Sequence, residues 1–273
     1  MKNKLGVMQG RLVPKYQGRY QAFPINYWED EFVVAQNCGM DLIEFILDFN
    51  DADKNPMLKD GGVEKIKSIT RATGVSVKTI CADYFMEAPF HSSDTSAVRT
   101  SQNIMKKLLE NSYKIGVSDI VIPCVDQSSI IDNAAVDVFV RNFDPMLEIA
   151  EEYGINLALE TDLAPKPFAE LLNRFHSQRV KVNYDIGNSA ALGYNPIEEL
   201  DTYGEKISDI HIKDRMLGGG PVELGFGDAD FDSFFKALSK LDYQGPFIMQ
   251  AYRDDEGVAI FKSQLNWIKR YIS

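Results

Sequence analysis

The sequence has little cysteine and little histidine, and this scarcity narrows the chemistry that it can carry. Of its 273 residues three are cysteines, Cys38, Cys81 and Cys124, and their spacing matches no zinc or redox motif. We therefore expect no disulfide framework but three reduced thiols, as in a cytoplasmic protein. The chain also has three histidines, too few for a histidine-rich metal cluster. A metal site would have to rely mainly on carboxylates.

Basic charge and long apolar runs are also scarce. Lysine and arginine number 29 against 40 acidic residues, which gives a net charge of -11. Because the nucleic-acid backbone is bound by basic surfaces, we expect no nucleic-acid partner. No apolar run approaches the roughly 20 residues that span a bilayer, and the N-terminal MKNKLGVMQGRL lacks the apolar core of a signal peptide. We therefore expect a cytoplasmic protein with no membrane association.

Strand-like and helix-like segments alternate along the whole chain. The apolar runs are near-continuous, as expected for strands covered on both faces; they lie at about 4–8, 41–46, 76–81, 119–124, 155–159, 180–184, 208–212 and 246–249. Helical periodicity follows each of them, at 28–39, 61–74, 95–116, 134–154, 167–177, 195–206, 230–241 and 257–272, with Pro145 predicting a kink or a helix start. The order predicts one α/β domain over residues 1–273, a (β/α)₈ TIM barrel. The alternative, a doubly wound open sheet, normally carries a glycine-rich turn after its first strand, which is absent here.

Polar residues stand at the carboxyl ends of the predicted strands, where such barrels place their chemistry. Glu160, Asp185 and His211 end three successive runs, and Gln250 ends the last one. These four can converge on one divalent cation, and their ligand types suit Mn²⁺, Mg²⁺, Co²⁺ or Zn²⁺. A core role is the alternative for His211, but the charged residues directly after it favour a functional rim. Gln250 can coordinate through its carbonyl oxygen, but it cannot take a proton.

The longest connection, residues 215–230, follows the seventh predicted strand and is rich in glycine. This composition is typical of a mobile active-site loop. Barrel phosphate sites often use backbone N–H groups in this region, and Lys213, Arg215 and Arg253 can add positive charge. A phosphate site and a merely flexible loop are the two interpretations of this segment.

Four segments, INLALETD, VNYDIGN, DIHIKDR and LGFGDADF, resemble motifs of the sugar phosphate isomerase/epimerase family, the xylose-isomerase-like TIM barrels. ICADYFM and IPCVD are similar to its hexulose-6-phosphate isomerase and L-ribulose-5-phosphate 3-epimerase branch. The resemblance implies one divalent metal ion held by Glu160, Asp185, His211 and Gln250. It also implies that Glu160 is a catalytic base for a ketose or ketose phosphate, in a reaction through a metal-stabilised enediolate. The remaining polar residues near these strand ends are expected to bind the sugar: Arg11, Glu44, Asp83, Asn188, Lys213 and Arg215. A homodimer is a family-level expectation.

Two positions depart from the family pattern. Gln250 replaces a second glutamate, and Phe226 stands where relatives usually have an acidic residue. We expect weaker metal binding and the loss of one proton-transfer group, which typically contributes roughly 10² to 10⁴ in rate. Asp83 and Lys213 are candidates to replace it. A keto-sugar or keto-inositol dehydratase, which needs one base, and a non-catalytic sugar-binding barrel remain alternatives. An apurinic endonuclease, from the same superfamily, would need more histidines.

Overall fold

The predicted strands form a closed parallel barrel, which confirms the (β/α)₈ fold and excludes the open sheet. A computed structural model describes residues 3–272. Its barrel strands are β1 (Leu5–Met8), β2 (Leu42–Ile46), β3 (Thr79–Cys81), β4 (Asp119–Cys124), β5 (Asn156–Thr161), β6 (Val180–Asp185), β7 (Ile207–Ile212) and β10 (Phe247–Met249). Each pairs in parallel with the next barrel strand, and β1 pairs with β10 to close the ring. Between β7 and β10, the short strands β8 (Asp214–Arg215) and β9 (Pro221–Val222) form an antiparallel hairpin.

Helices follow the strands at all eight predicted places. They are α1 (Trp28–Asn37), α2 (Gly62–Thr73), α4 (Thr95–Ile115), α5 (Asn133–Tyr153), α6 (Pro165–Leu172), α8 (Pro196–Tyr203), α9 (Phe231–Leu238) and α10 (Val258–Ile272). Two short helices, α3 (Tyr84–Glu87) and α7 (Ile186–Leu192), are additional and follow β3 and β6. Helix α5 runs through Pro145, so the predicted helix start at that residue is wrong. No helix among residues 3–272 is long and apolar enough to cross a bilayer.

The strand register brings the polar strand ends together. Asp185 of β6 pairs with His211 of β7, and Ile248 of β10 pairs with the same histidine. Parallel strands therefore deliver their carboxyl ends to one rim, as the barrel geometry requires. The barrel interior is partly polar, because Glu44 and Asp209 have no exposed surface. Glu44 of β2 contacts His211 although β2 and β7 are not neighbouring strands, so the two side chains meet inside the barrel.

Candidate active site at the carboxyl end of the barrel

Glu160, Asp185 and His211 converge at this rim. Nδ1 of His211 lies 3.7 Å from Oε2 of Glu160 and 4.0 Å from Oδ2 of Asp185. The three candidate ligand atoms all lie within 4.8 Å of one another, and all three residues are buried. Two carboxylates and one imidazole at this spacing form a donor set that suits a divalent cation. The structure thus brings together three of the four predicted ligands around one point.

The imidazole of His211 is held so that one ring nitrogen faces the two carboxylates. Its other nitrogen, Nε2, lies 2.7 Å from Oε1 of Glu44. A carboxylate oxygen only accepts, so a contact this short requires a proton on Nε2. On the other side, the amide nitrogen of Asn183 lies 2.8 Å from Glu160 and 3.1 Å from Nδ1 of His211. In the neutral ring Nδ1 is therefore the nitrogen that carries the lone pair, and it faces Glu160 and Asp185.

The electrostatics of the cluster favour a bound cation. Burial and the neighbouring Asp185 raise the pKa of Glu160 to about 7. Burial opposes a charge on His211, but Glu44, Glu160 and Asp185 raise its pKa to about 9. In addition, Nζ of Lys213 lies 3.3 Å from Oδ2 of Asp185. The carboxylates thus favour a nearby positive charge, which a dication can supply in place of the proton on Nδ1 of His211.

Gln250 presents an unpartnered oxygen beside this cluster. Its Nε2 donates to Oε1 of Gln21 at 3.2 Å, whereas its own Oε1 is buried and has no hydrogen-bond partner among residues 3–272. A buried carbonyl without a partner is costly in a folded protein, and coordination of a metal ion is one way to satisfy it. The residues present therefore fit a metal held by Glu160, Asp185, His211 and the amide oxygen of Gln250.

A cavity of about 240 Å³ opens at these residues. Glu160 and Gln250 line it, together with four of the six predicted sugar-binding residues: Asp83, Asn188, Lys213 and Arg215. The other two lie elsewhere. Glu44 is fully buried against His211, and Arg11 is turned towards Tyr20 and Gln21, to which its guanidinium donates.

Glu160 is supported from the cavity side by a short chain of hydrogen bonds. The amide nitrogen of Asn188 donates to Oε1 of Glu160 at 2.6 Å. The side-chain oxygen of Asn188 accepts from Nη1 of Arg215 at 2.9 Å, and the same guanidinium donates to the carbonyl of Gly219. These contacts link Arg215 of β8 to Asn188 of α7, and Asn188 to Glu160. The carboxylate of Glu160 is therefore held in a defined direction at the cavity edge.

The glycine-rich connection is more ordered than its composition predicts. Asp214, fully buried at the start of the hairpin, accepts from the backbone nitrogens of Gly225, Gly227 and Ala229 at 2.9 to 3.2 Å. The N–H groups of Gly225 and Gly227 are therefore already bonded and are not free to bind a phosphate. Arg253 is also engaged elsewhere, because its guanidinium donates to the backbone carbonyls of Gly10 and Val13. A phosphate group in the cavity would have to rely on other donors, such as Lys213 and Arg215.

Three residues of the site carried no motif that singled them out. Asn183 and Asp209 each lie two positions before a candidate ligand, and the alternation of side chains along a strand places them on the same face. The two-residue spacing from the candidate ligands could therefore have identified both residues from the sequence. Gln21 lies in the loop after β1, where no periodicity indicates the direction of a side chain. Only the folded loop places it between Arg11, Asp83 and Gln250.

A larger cavity, of about 680 Å³, lies at the opposite end of the barrel. Residues before or at the amino ends of the strands line it, among them Lys4, Lys78 and Lys181. It holds none of the clustered carboxylates and imidazole described above. Barrels of this type place chemistry at the carboxyl ends of their strands, so the smaller cavity is the candidate active site.

The sequence profile of the xylose isomerase-like TIM barrel family matches residues 32–271. The chain belongs to this family. A Haemophilus influenzae protein named "Putative L-ribulose-5-phosphate 3-epimerase SgbU" is 28% identical over 253 residues, covering 86% of this chain and 87% of that protein. "L-ribulose-5-phosphate 3-epimerase UlaE" of Escherichia coli O1:K1 is 24% identical over 257 residues, with 89% of each chain covered.

Solved structures share the fold over almost the whole chain. The IOLI protein, solved with a zinc atom, superposes with a TM-score of 0.77 at 21% identity, covering 99% of both chains. D-allulose 3-epimerase from Methylomonas sp., solved with D-allulose, gives a TM-score of 0.76 at 16% identity, covering 99% of this chain and 97% of that one. These superpositions show that the barrel architecture is shared over almost the whole chain.

Proposed function

We propose that this protein is a divalent-metal-dependent isomerase or epimerase that acts on a ketose or ketose phosphate. The observation that carries the proposal is the convergence of Glu160, Asp185 and His211 at the edge of a small polar cavity. The epimerase names of the two relatives support the same reaction class. Glu160, Asp185, His211 and Gln250 would hold the metal ion. When bound, such an ion polarises a carbonyl and stabilises the negative charge that develops during proton abstraction.

Glu160 is the residue proposed to remove the carbon-bound proton. Its carboxylate lines the cavity, and the amides of Asn183 and Asn188 hold one oxygen each. A fixed carboxylate beside the substrate carbon removes a proton without first having to be ordered, which is how positioned bases contribute to rate. The electron pair of the broken bond moves into the sugar and forms an enediolate.

The cavity favours a small, hydroxyl-rich substrate. Its volume of about 240 Å³ lies below the roughly 300 to 1,000 Å³ of pockets for drug-sized ligands. Asp83 and Asn188 can pair with sugar hydroxyls, while Lys213 and Arg215 offer positive charge for a phosphate. Because the composition is acidic, we propose no nucleic-acid partner. A cytoplasmic location and a homodimer remain predictions, and sedimentation of the purified protein measures the second.

Exchange of carbon-bound protons tests the proposal directly. The protein is incubated in D₂O with Mn²⁺ and a panel of pentuloses, hexuloses and their terminal phosphates. We expect deuterium to enter next to the carbonyl of at least one sugar, and Glu160→Gln to lower this rate by about 10² to 10⁴. If no sugar in the panel exchanges, the proposed function is wrong.

Gln250 also favours a second candidate, a keto-sugar or keto-inositol dehydratase. An amide cannot act as an acid or base, and elimination of water can proceed with one base. A product lighter by one water molecule would indicate this reaction. Thermal stabilisation by a sugar, without exchange or turnover, would instead indicate a sugar-binding barrel.

A further inference from the structure

A hydrogen-bonded network joins Gln250 to an acidic residue on the other side of the loop after β1. Gln21 lies at its centre. Its Oε1 accepts from Nη2 of Arg11 at 2.9 Å and from Nε2 of Gln250 at 3.2 Å, and its Nε2 donates to Oδ2 of Asp83 at 2.8 Å. Gln21, Asp83 and Gln250 all line the candidate active-site cavity.

The chemistry of these partners fixes the direction of each amide. A guanidinium only donates and a carboxylate mainly accepts, so Gln21 must turn its oxygen to Arg11 and its nitrogen to Asp83. Gln250, which faces that oxygen, must then offer its own NH₂ group. The carbonyl oxygen of Gln250 is left on the far side, where it is buried and has no partner among residues 3–272. An ionised glutamate at position 250 would place a carboxylate oxygen against the oxygen of Gln21. Both oxygens only accept hydrogen bonds, so the two groups would repel each other.

We propose that Asp83 is the second acid–base residue of the reaction, and that Gln21 is the positioning residue that links it to Gln250. The inference rests on the proposed epimerase function and names the group that replaces the missing glutamate. Asp83 is separated from Gln250 by one amide group, so it lies on the Gln250 side of the cavity. Asp83 follows β3 and Glu160 lies on β5, so the two carboxyl groups reach the cavity from different strands, with β4 between them.

The alternative candidate, Lys213, is less suited to the role. Its ammonium group lies 3.3 Å from Oδ2 of Asp185, so it already neutralises a candidate metal ligand. Within residues 3–272 Asp83 forms no salt bridge; its two oxygens accept from Gln21 and from the thiol of Cys81, 3.1 Å away. Burial, with smaller contributions from Asp48 and Glu44, raises the pKa of Asp83, which helps it to carry a proton to the sugar.

The proposed reaction uses the two carboxyl groups in turn. Glu160 takes the proton from the carbon next to the carbonyl, and the C–H electron pair forms the C=C bond of the enediolate while the carbonyl π pair moves onto oxygen. The oxygen pair then re-forms the carbonyl, and the C=C pair takes the proton of Asp83 on the opposite face. The configuration is inverted, Glu160 ends protonated and Asp83 ends ionised. Proton exchange with water restores both groups.

The variant Asp83→Asn separates this role from a structural one. Asparagine keeps an oxygen that can accept from Gln21, so the network and Mn²⁺ binding, measured by calorimetry, should stay within a few-fold of the original protein. Inversion should fall by about 10² to 10⁴. The epimer whose C–H bond faces Glu160 should still exchange its proton in D₂O, whereas the other epimer should not. Asp83→Glu should recover part of the inversion.

Two results would overturn the inference while leaving the proposed function intact. One is inversion by Asp83→Asn within a few-fold of the original rate, and the other is loss of exchange in both epimers. Absence of exchange by the original protein with every sugar would instead remove the proposed function, and the inference with it. For Gln21, replacement by leucine should weaken Mn²⁺ binding by about 10- to 100-fold, because Gln250 loses its fixed direction. Unchanged Mn²⁺ affinity would contradict the positioning role.

Discussion

At the scale of single residues, the contact between Glu44 and His211 decides which ring nitrogen is free to bind a cation. Glu44 has no exposed surface, and the attraction of His211 holds the pKa of Glu44 below its ordinary value in spite of burial. Metal-binding histidines usually direct their second nitrogen at such an acceptor, which fixes the ring and raises its basicity. Glu44 would therefore act on a bound metal ion through His211.

The replacement Glu44→Gln tests this role. We expect Mn²⁺ binding to weaken by about 10- to 100-fold, because the neutral amide no longer holds the Nε2 proton as strongly. Isothermal titration calorimetry measures the affinity. Glu31→Gln is a matched control, since Glu31 is also fully buried but bonds to the loop after β1 and not to His211. Equal losses in the two variants would contradict a specific role for Glu44.

At the scale of elements, Asp214 holds the connection between β7 and α9 in place. The residue lies in the segment DIHIKDR, and its carboxylate accepts three backbone N–H groups from the segment 225–229. The hairpin of β8 and β9 begins at the same residue, so one buried side chain orders both halves of the connection. Arg215 of this hairpin donates to Asn188, and Asn188 donates to Glu160. The position of the hairpin therefore affects the orientation of the Glu160 carboxylate.

Replacement of Asp214 by asparagine should loosen this connection. The new NH₂ group faces backbone donors, and each unsatisfied buried donor costs about 1 to 3 kcal/mol. We expect faster amide hydrogen exchange at residues 225–229 and a higher KM for the substrate. Asp232→Asn is the control, because the carboxylate of Asp232 accepts an exposed bond from the hydroxyl of Tyr271, outside this connection. Protection at 225–229 that matches the unaltered protein would show that Asp214 does not order the segment.

The elements also explain which parts of the site the sequence could predict. Glu160, Asp185 and His211 end apolar runs whose strand character is clear, and a parallel barrel brings such ends together. The contact of Glu44 with His211 could not be read in this way, because it crosses the barrel between strands far apart in sequence. The position of Gln21 in the site could not be predicted, because loop residues follow no periodic pattern. The hydrogen bonds that hold the segment 215–230 could not be predicted from the sequence. Its glycine content indicates backbone freedom but does not indicate which groups the backbone will bond to.

At the scale of the whole molecule, the closure of the barrel depends on the two ends of the chain. β1 pairs with β10 through Leu5 and Phe247, among others. Beyond the strand ends, Glu31 of α1 accepts from the backbone nitrogens of Gly10 and Leu12, at 2.7 and 2.9 Å. Arg253, after β10, donates to backbone carbonyls of the same β1 loop. The guanidinium of Arg253 thus joins the first and last barrel strands, and the carboxyl group of Glu31 holds the same β1 loop to α1.

This closure should make stability depend on pH. Burial raises the pKa of Glu31 to about 7 against the lowering effect of its two backbone donors, while the unfolded value is 4.5. A raised pKa means that folding favours the protonated form. The contribution of Glu31 is therefore full below about pH 4.5 and is lost as the pH rises through about 7, a change on the order of 3 kcal/mol. Urea unfolding at about pH 5, 6, 7 and 8 measures it, as the difference between the original protein and Glu31→Gln. The variant lacks the titrating group, so its stability should fall less over this range; parallel pH profiles would contradict the prediction.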